Sequence, residues 1–231
     1  SSKLIYQFSH EKTDGDKTMS DLLGGKGANL AEMSSLGINV PPGFTVTTEV
    51  CRYFIDNKTF PEKFENELRS SIKKLEEYSG KVFGNSDNPL LLSVRSGGRI
   101  SMPGMMDSIL NIGLNDENVV HLSKVFNDER FALDSYRRLI QMYGNVVLDI
   151  DHKRFEAVLE NKKRIDNLNS DDIDDEFIFV FWKKVNSKNK KLSLKTFRLV
   201  FELCLKFKKA LQLAPTLIQN ESSLNNHENI L

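Results

Sequence analysis

Twelve of the 13 glycines in this 231-residue chain lie between Gly15 and Gly113, five of the six prolines share that half, and no glycine follows Gly144. Glycine lets a backbone enter left-handed conformations and pass close to a ligand, so a loop that cradles an anion belongs in the N-terminal half. There, Ala28 to Leu36 has apolar residues at helical spacing and stops at Gly37, which suits a glycine C-terminal cap. After the Pro41-Pro42-Gly43 punctuation, Phe44 to Thr48 favours a strand, and Thr48 can cap a helix from Glu49 to about Asp56. Pro61 to Tyr78 reads as a helix with Phe64, Leu68, Ile72 and Leu75 on one side, ended by Ser79-Gly80. Leu90 to Val94 and Ile109 to Leu114 are strand candidates on either side of the loop Ser96 to Ser108. Alternating strands and helices predict an α/β (α+β) layer over residues 1–113.

After Asp116 the pattern is helical, with candidates at Val119 to Phe126, Ala132 to Tyr143, His152 to Leu168, Asp172 to Lys184 and Leu192 to Leu213. Residues 114–213 are therefore expected to form a mostly α-helical subdomain, and the polar, Asn- and Ser-rich 214–231 a tail without order. Ser170 before Asp171-Asp172-Ile173-Asp174-Asp175 suits a helix start, where acidic side chains meet the positive end of the dipole. A metal-binding reading of Asp171, Asp172, Asp174 and Asp175 is the alternative, although the run lacks the turning glycine and the glutamate at the distance of a calcium loop.

Charge narrows the function classes. With 32 basic and 32 acidic side chains, the chain has no global field to attract a phosphate backbone, so anion binding must be local and no nucleic-acid partner is expected. Cys51 and Cys204 form no CxxC pair, which supplies no zinc site and suits a reducing compartment. The longest apolar run, Phe177 to Trp182, is far short of the roughly twenty residues that span a bilayer, so no membrane role is expected. Lys188 to Lys209 is strongly basic; a lipid or partner surface is conceivable, while a helix with Leu194, Phe197, Phe201 and Leu205 inward and its lysines in water explains it plainly. The first residues are no secretory signal, and residence is expected to be cytoplasmic, or organellar if an upstream transit peptide has been removed.

Two constellations carry chemistry. Gly24-Gly25-Lys26-Gly27 precedes the Ala28 helix, placing amides without intrahelical partners, a backbone free of Cβ atoms and a mobile cation at one helix start, as a phosphate requires. It is not a Walker A loop, because Ser20 stands where the first glycine should be and Gly27 where Ser or Thr should follow the lysine. A glycine-rich turn with an exposed lysine is the plain alternative. The second constellation runs from Ser93 through Arg95, Ser96, Gly97, Arg99, Ser101, Met102 and Gly104 to Asp107. An arginine at the end of a buried strand has a rigid base from which its fork can hold two phosphate oxygens. An ion pair of Arg95 or Arg99 with Asp107 is the plain alternative, as core filling is for Met102, Met105 and Met106 against the wall of an adenine pocket.

Three stretches, DLLGGKGANLAEMSSLGINVPPGFTVTTEVC, FGNSDNPLLLSVRSGGRISMPGMMDSILNIGLND and RFALDSYRRLIQMYGNVV, occur in one order over about residues 3–150. In them the chain resembles the N-terminal ATP-binding domain of the pyruvate, phosphate dikinases. Phosphoenolpyruvate synthases and glucan-water dikinases share the general scheme, but the unbroken SMPGMMDSILNIGLN and RRLIQMYG runs favour the dikinase branch. The resemblance implies the first subdomain of an ATP-grasp fold followed by a helical insertion. It implies that Lys26 and Arg95 contact ATP phosphates, with Gly24, Gly25, Gly27, Ser96, Gly97, Arg99, Ser101, Met102 and Gly104 lining the nucleotide site.

In that family ATP gives its βγ-pyrophosphoryl group to a histidine, inorganic phosphate takes the γ-phosphoryl group, and pyruvate receives the remainder as phosphoenolpyruvate, leaving AMP and diphosphate. The chain departs from this scheme in lacking a TSHAA-like histidine, since His10, His121, His152 and His227 sit in other contexts. It also lacks the second ATP-grasp subdomain, which in the family supplies the Mg²⁺ ligands. The expectation is the ATP-binding portion of a dikinase, inactive alone, with no catalytic or metal-binding residue of its own. Its expected partners are ATP and the remaining dikinase domains, in a parent enzyme that forms a homodimer. A stand-alone nucleotide-binding or interaction protein without catalysis is the alternative.

Overall fold

Alternation in Gly43-Phe44-Thr45-Val46 places Phe44 and Val46 on one face of a strand and Thr45 on the other, and the whole fold follows from that division. The computed structural model describes residues 3–96, 108–147, 150–166 and 216–220. In chain order its elements are β1 (Ile5–Phe8), α1 (Ser20–Ser35), β2 (Gly43–Val46), α2 (Thr48–Asn57), α3 (Phe64–Ser79), β3 (Val82–Phe83), β4 (Pro89–Leu90), β5 (Leu92–Ser96), β6 (Ser108–Ile112), α4 (Asn118–Phe126), α5 (Glu129–Val146), α6 (His152–Asp166) and β7 (Thr216–Asn220). The architecture is α+β. Five strands form the main sheet in the order β1-β2-β7-β5-β6, all neighbours antiparallel, while β3 and β4 make a small parallel pair.

One face of the sheet carries the core. Phe44, Val46, Leu92, Val94, Ile109 and Ile112 join Val50 and Phe54 of α2, Phe64, Leu68, Ile72 and Leu75 of α3, Leu122 of α4 and Leu139 of α5 in a single buried apolar cluster. That cluster runs without interruption across position 113. The α3 stripe is the one its spacing predicts, and the helix ends at Gly80 in the left-handed conformation, φ +65°. The opposite face is covered beside β1 by α1, where Phe8 and Val40 form a smaller cluster with Leu30 against it. The α1 end is a full glycine cap: the Ile38 amide donates to the Met33 carbonyl and the Gly37 amide to the Ser34 carbonyl.

Three expectations need correction. The glycine-rich segment is not a loop before a helix at Ala28, because α1 already begins at Ser20 and breaks at Gly24. Thr48 is the first residue of α2 rather than its cap; its hydroxyl donates to the Asp21 carbonyl at 2.9 Å and ties the starts of α1 and α2 together. Residues 214–231 are not wholly without order, since Thr216–Asn220 is the central strand β7. Polar composition argues against a core, but Thr216 and Ile218 are β-branched, and a strand flanked on both sides satisfies its backbone groups whatever its polarity. The helices expected at 172–184 and 192–213, the acidic run, the basic segment and Cys204 lie outside the described residues.

Near β1, the Asp14 carboxylate accepts from the Gln7 amide at 3.1 Å and lies 2.7 Å from the Lys3 ammonium. Burial opposes its charge, but the Lys3 and Gln7 hydrogen bonds outweigh burial and hold the carboxyl below the ordinary aspartate value. A carboxyl with a depressed folded pKa stabilises fully above its unfolded value, 3.8, and loses that contribution as pH falls through the lower folded value. Asp14→Asn is therefore expected to lower Tm near neutral pH and to make Tm fall less steeply on acidification below that value. Parallel Tm curves for the two proteins across the acid range would refute this.

Candidate nucleotide-phosphate site

The break in α1 arises at a residue only glycine can occupy. Gly24 has φ +69° and ψ +165°, a region closed to side chains with a Cβ. It divides the helix, so Gly25, Lys26 and Gly27 form the first turn of the segment that runs on to Ser35. Amides at such a start have no intrahelical acceptor, and the peptide dipoles place partial positive charge there. The glycine-rich segment thus presents an anion-favouring turn, although inside a kinked helix rather than ahead of a straight one.

Gly27 seats this turn on the sheet. A Cβ at Gly27 would lie 2.8 Å from Thr45 Oγ1 and 2.9 Å from Thr45 Cγ2, so helix and strand approach to a distance that only glycine allows. Thr45 is 1% exposed, and its hydroxyl has no hydrogen-bond partner among the described residues. Lys26, next in the chain, is partly exposed.

Strand register places Arg95 on this same face. Thr45 pairs with Tyr6 on one side and with Leu217 on the other, Leu217 pairs with Arg95, and Arg95 with Ser108. Residues opposite one another across a sheet point to the same face. Tyr6, Thr45, Arg95 and Ser108 thus form one transverse row on the α1 side, with Arg95 two strand spacings, roughly 10 Å, from Thr45. The intervening core residues, Phe44 and Val94, are in register through Ile218 on the other face. Ser93, two residues before Arg95 and on its face, is buried. Among the described residues no ion pair involves Arg95.

Of the site residues named from sequence, Gly25, Lys26 and Gly27 occupy one helical turn with Gly24 at the break before it, and Arg95 lies on the same sheet face two strands from Thr45. Ser96 ends β5, its backbone paired with Thr216. Gly97, Arg99, Ser101, Met102 and Gly104 lie outside the described residues, as do Met105, Met106 and Asp107. Sequence reasoning missed Thr45 and Ser108. The polar residue between Phe44 and Val46 was a usable signal for the first; the second depends on a register that no local pattern reveals. Among the described residues no group of three His, Cys, Asp or Glu side chains converges to hold a metal.

Residues 20–82 and 55–142, together more than half of the chain, match the family described as pyruvate phosphate dikinase, AMP/ATP-binding domain. The chain belongs to this family. Over 162 residues, 70% of this chain, it is 56% identical to a pyruvate, phosphate dikinase of Rickettsia bellii, covering 18% of that protein. With one from Rhizobium meliloti it shares 48% identity over 190 residues, 81% of this chain and 21% of the relative. A pyruvate, phosphate dikinase 1, chloroplastic, of Oryza sativa is 52% identical over 170 residues, 73% of this chain and 18% of the relative. The chain thus spans about a fifth of the length of these relatives. Among the described residues no helix is long and apolar enough to cross a membrane.

Proposed function

We propose that this chain is the part of a pyruvate, phosphate dikinase that holds the phosphates of ATP, with residues 1–113 as the first ATP-grasp subdomain and 114–213 as the helical insertion after it. The transverse row carries this reading. It sets Arg95 on the face where the Gly25-Lys26-Gly27 turn sits, so a guanidinium and a helix start with its lysine flank one stretch of sheet. Charge that shifts among phosphate oxygens is best met by cations already fixed in place, and a guanidinium on a strand with a lysine at a rigid turn meet that need. In the full-length enzyme these groups would hold ATP while its βγ-pyrophosphoryl group passes to a histidine elsewhere in the chain, and pyruvate would be the final acceptor. The residues described here bind and orient; Mg²⁺ ligands and the opposing wall of the clamp are assigned to other parts of the full-length protein.

Charge-assisted hydrogen bonds are worth roughly 1.5–3 kcal/mol each, so Lys26→Ala and Arg95→Ala should each weaken ATP binding by about ten-fold or more. AMP, which lacks the β- and γ-phosphates, should lose less. Titration calorimetry with both nucleotides checks this, and ATP affinity unchanged in both variants would remove the assignment.

A further inference from the structure

Ile109 and Ile112 are both fully buried in the core cluster although they stand three residues apart on β6. In a regular strand an odd separation puts two side chains on opposite faces. The conflict is resolved by a bulge. Leu92 pairs with Ile112 but Val94 pairs with Ile109, so Ser93 alone stands against Leu110 and Asn111. Asn111 takes the left-handed conformation, φ +59°, which asparagine tolerates better than most residues with a Cβ. It is buried, and its Nδ2 donates to the Ser135 carbonyl oxygen of α5 at 3.3 Å.

The bulge decides what stands beside Arg95. Continuing the regular register from Leu92 and Ile112 would bring Ile109 opposite Arg95, and the isoleucine would lie on the α1 face beside the guanidinium. A one-residue slip reverses the face of every following side chain. With the bulge, Ile109 enters the core and Ser108 becomes the cross-strand partner of Arg95, so a serine rather than an isoleucine stands opposite the arginine. Among the described residues, no hydrogen bond occupies the Ser108 hydroxyl. Bulges beside functional sites commonly re-aim a side chain in this way.

We propose that Asn111 is a positioning residue for ATP binding: its left-handed turn, tied to the Ser135 carbonyl, sets the strand register that gives Arg95 a polar neighbour on the nucleotide face. This rests on the reading of Arg95 as a phosphate contact. Asn111 touches no nucleotide; it acts through Arg95.

The test is a double-mutant cycle in this chain, with ATP titrated to millimolar concentration and binding followed by phosphorus NMR line broadening. Asn111→Ala disfavours the positive φ and removes the amide, and is expected to weaken ATP binding by about ten-fold with Arg95 present but by less than about two-fold in the Arg95→Ala background. Asn111→Gly keeps the backbone turn and loses only the amide, so it is the variant safer for folding; it should lose about three-fold, again only when Arg95 is present. Thermal melting identifies the temperature range in which each variant is folded. Equal losses with and without Arg95, or none in either variant, would overturn the proposal while leaving the phosphate reading intact. If Arg95→Ala alone leaves affinity unchanged, or the unaltered chain binds no ATP, the phosphate reading fails and this proposal with it.

Discussion

Phe44→Ala is expected to destabilise the protein by about 3–5 kcal/mol, the range for truncating a large aromatic in a core that cannot collapse around the gap. Phe44 is 0% exposed and stands at the middle of β2, whose backbone is paired with Gln7 of β1 and Ile218 of β7. Its side chain belongs to the cluster that gathers residues from α2 to α5. A strand held on both edges cannot shift to fill the space, so the cavity cost should be felt nearly in full. Urea denaturation measures this, and a loss below about 1 kcal/mol would mean that the core relaxes around the missing ring. Because the Phe44 ring points away from the α1 face, ATP affinity of the folded variant should change far less than stability does.

Gly27→Val should lower stability and ATP binding together. Its Cβ would enter the space of Thr45 Oγ1 and Cγ2 and press on Leu23 Cβ at 3.3 Å, an overpacking that costs about 3 kcal/mol. Neither Thr45 atom is the far end of a flexible side chain, so relief requires α1 to lift from the sheet. The Gly25-Lys26-Gly27 turn would move with it, and ATP binding should fall along with stability. Thr45→Ala removes both colliding atoms, and in the double variant it should restore part of the lost stability, a coupling of about 1 kcal/mol. Strictly additive losses would show that the two residues do not press on one another.

Much of this organisation was legible in the sequence where the signal is local. Phe64, Leu68, Ile72 and Leu75 specify both the existence and the buried face of α3, because helical periodicity is complete within a few turns. Gly37 and Gly80 mark helix ends because a positive φ has few other tenants. The geometry of the Gly24 to Gly27 segment was not legible: a run of three glycines in four residues argues for a loop on propensity alone, whereas the segment lies inside a kinked helix packed against Thr45. Ile5–Phe8 carries too little alternation to announce a strand and becomes one by pairing with β2. The facing of β6 was equally hidden, since the bulge at Asn111 breaks the two-residue period on which such a reading depends. Composition judged the last stretch by its polarity, whereas Thr216–Asn220 earns its place through partners far away in sequence.

That last strand has a consequence for how the molecule comes into being. β2 and β5 are not neighbours; β7 lies between them, and it begins only at Thr216. During synthesis both therefore emerge long before the segment that bridges them, each with a bare edge of amides and carbonyls. Unsatisfied edges of that kind invite pairing with other chains, and contacts this distant in sequence are slow to close. The face that carries Arg95 at one side and Gly27 at the other is joined into a continuous surface only when residue 220 has left the ribosome, long after the two strands that flank the gap have been made.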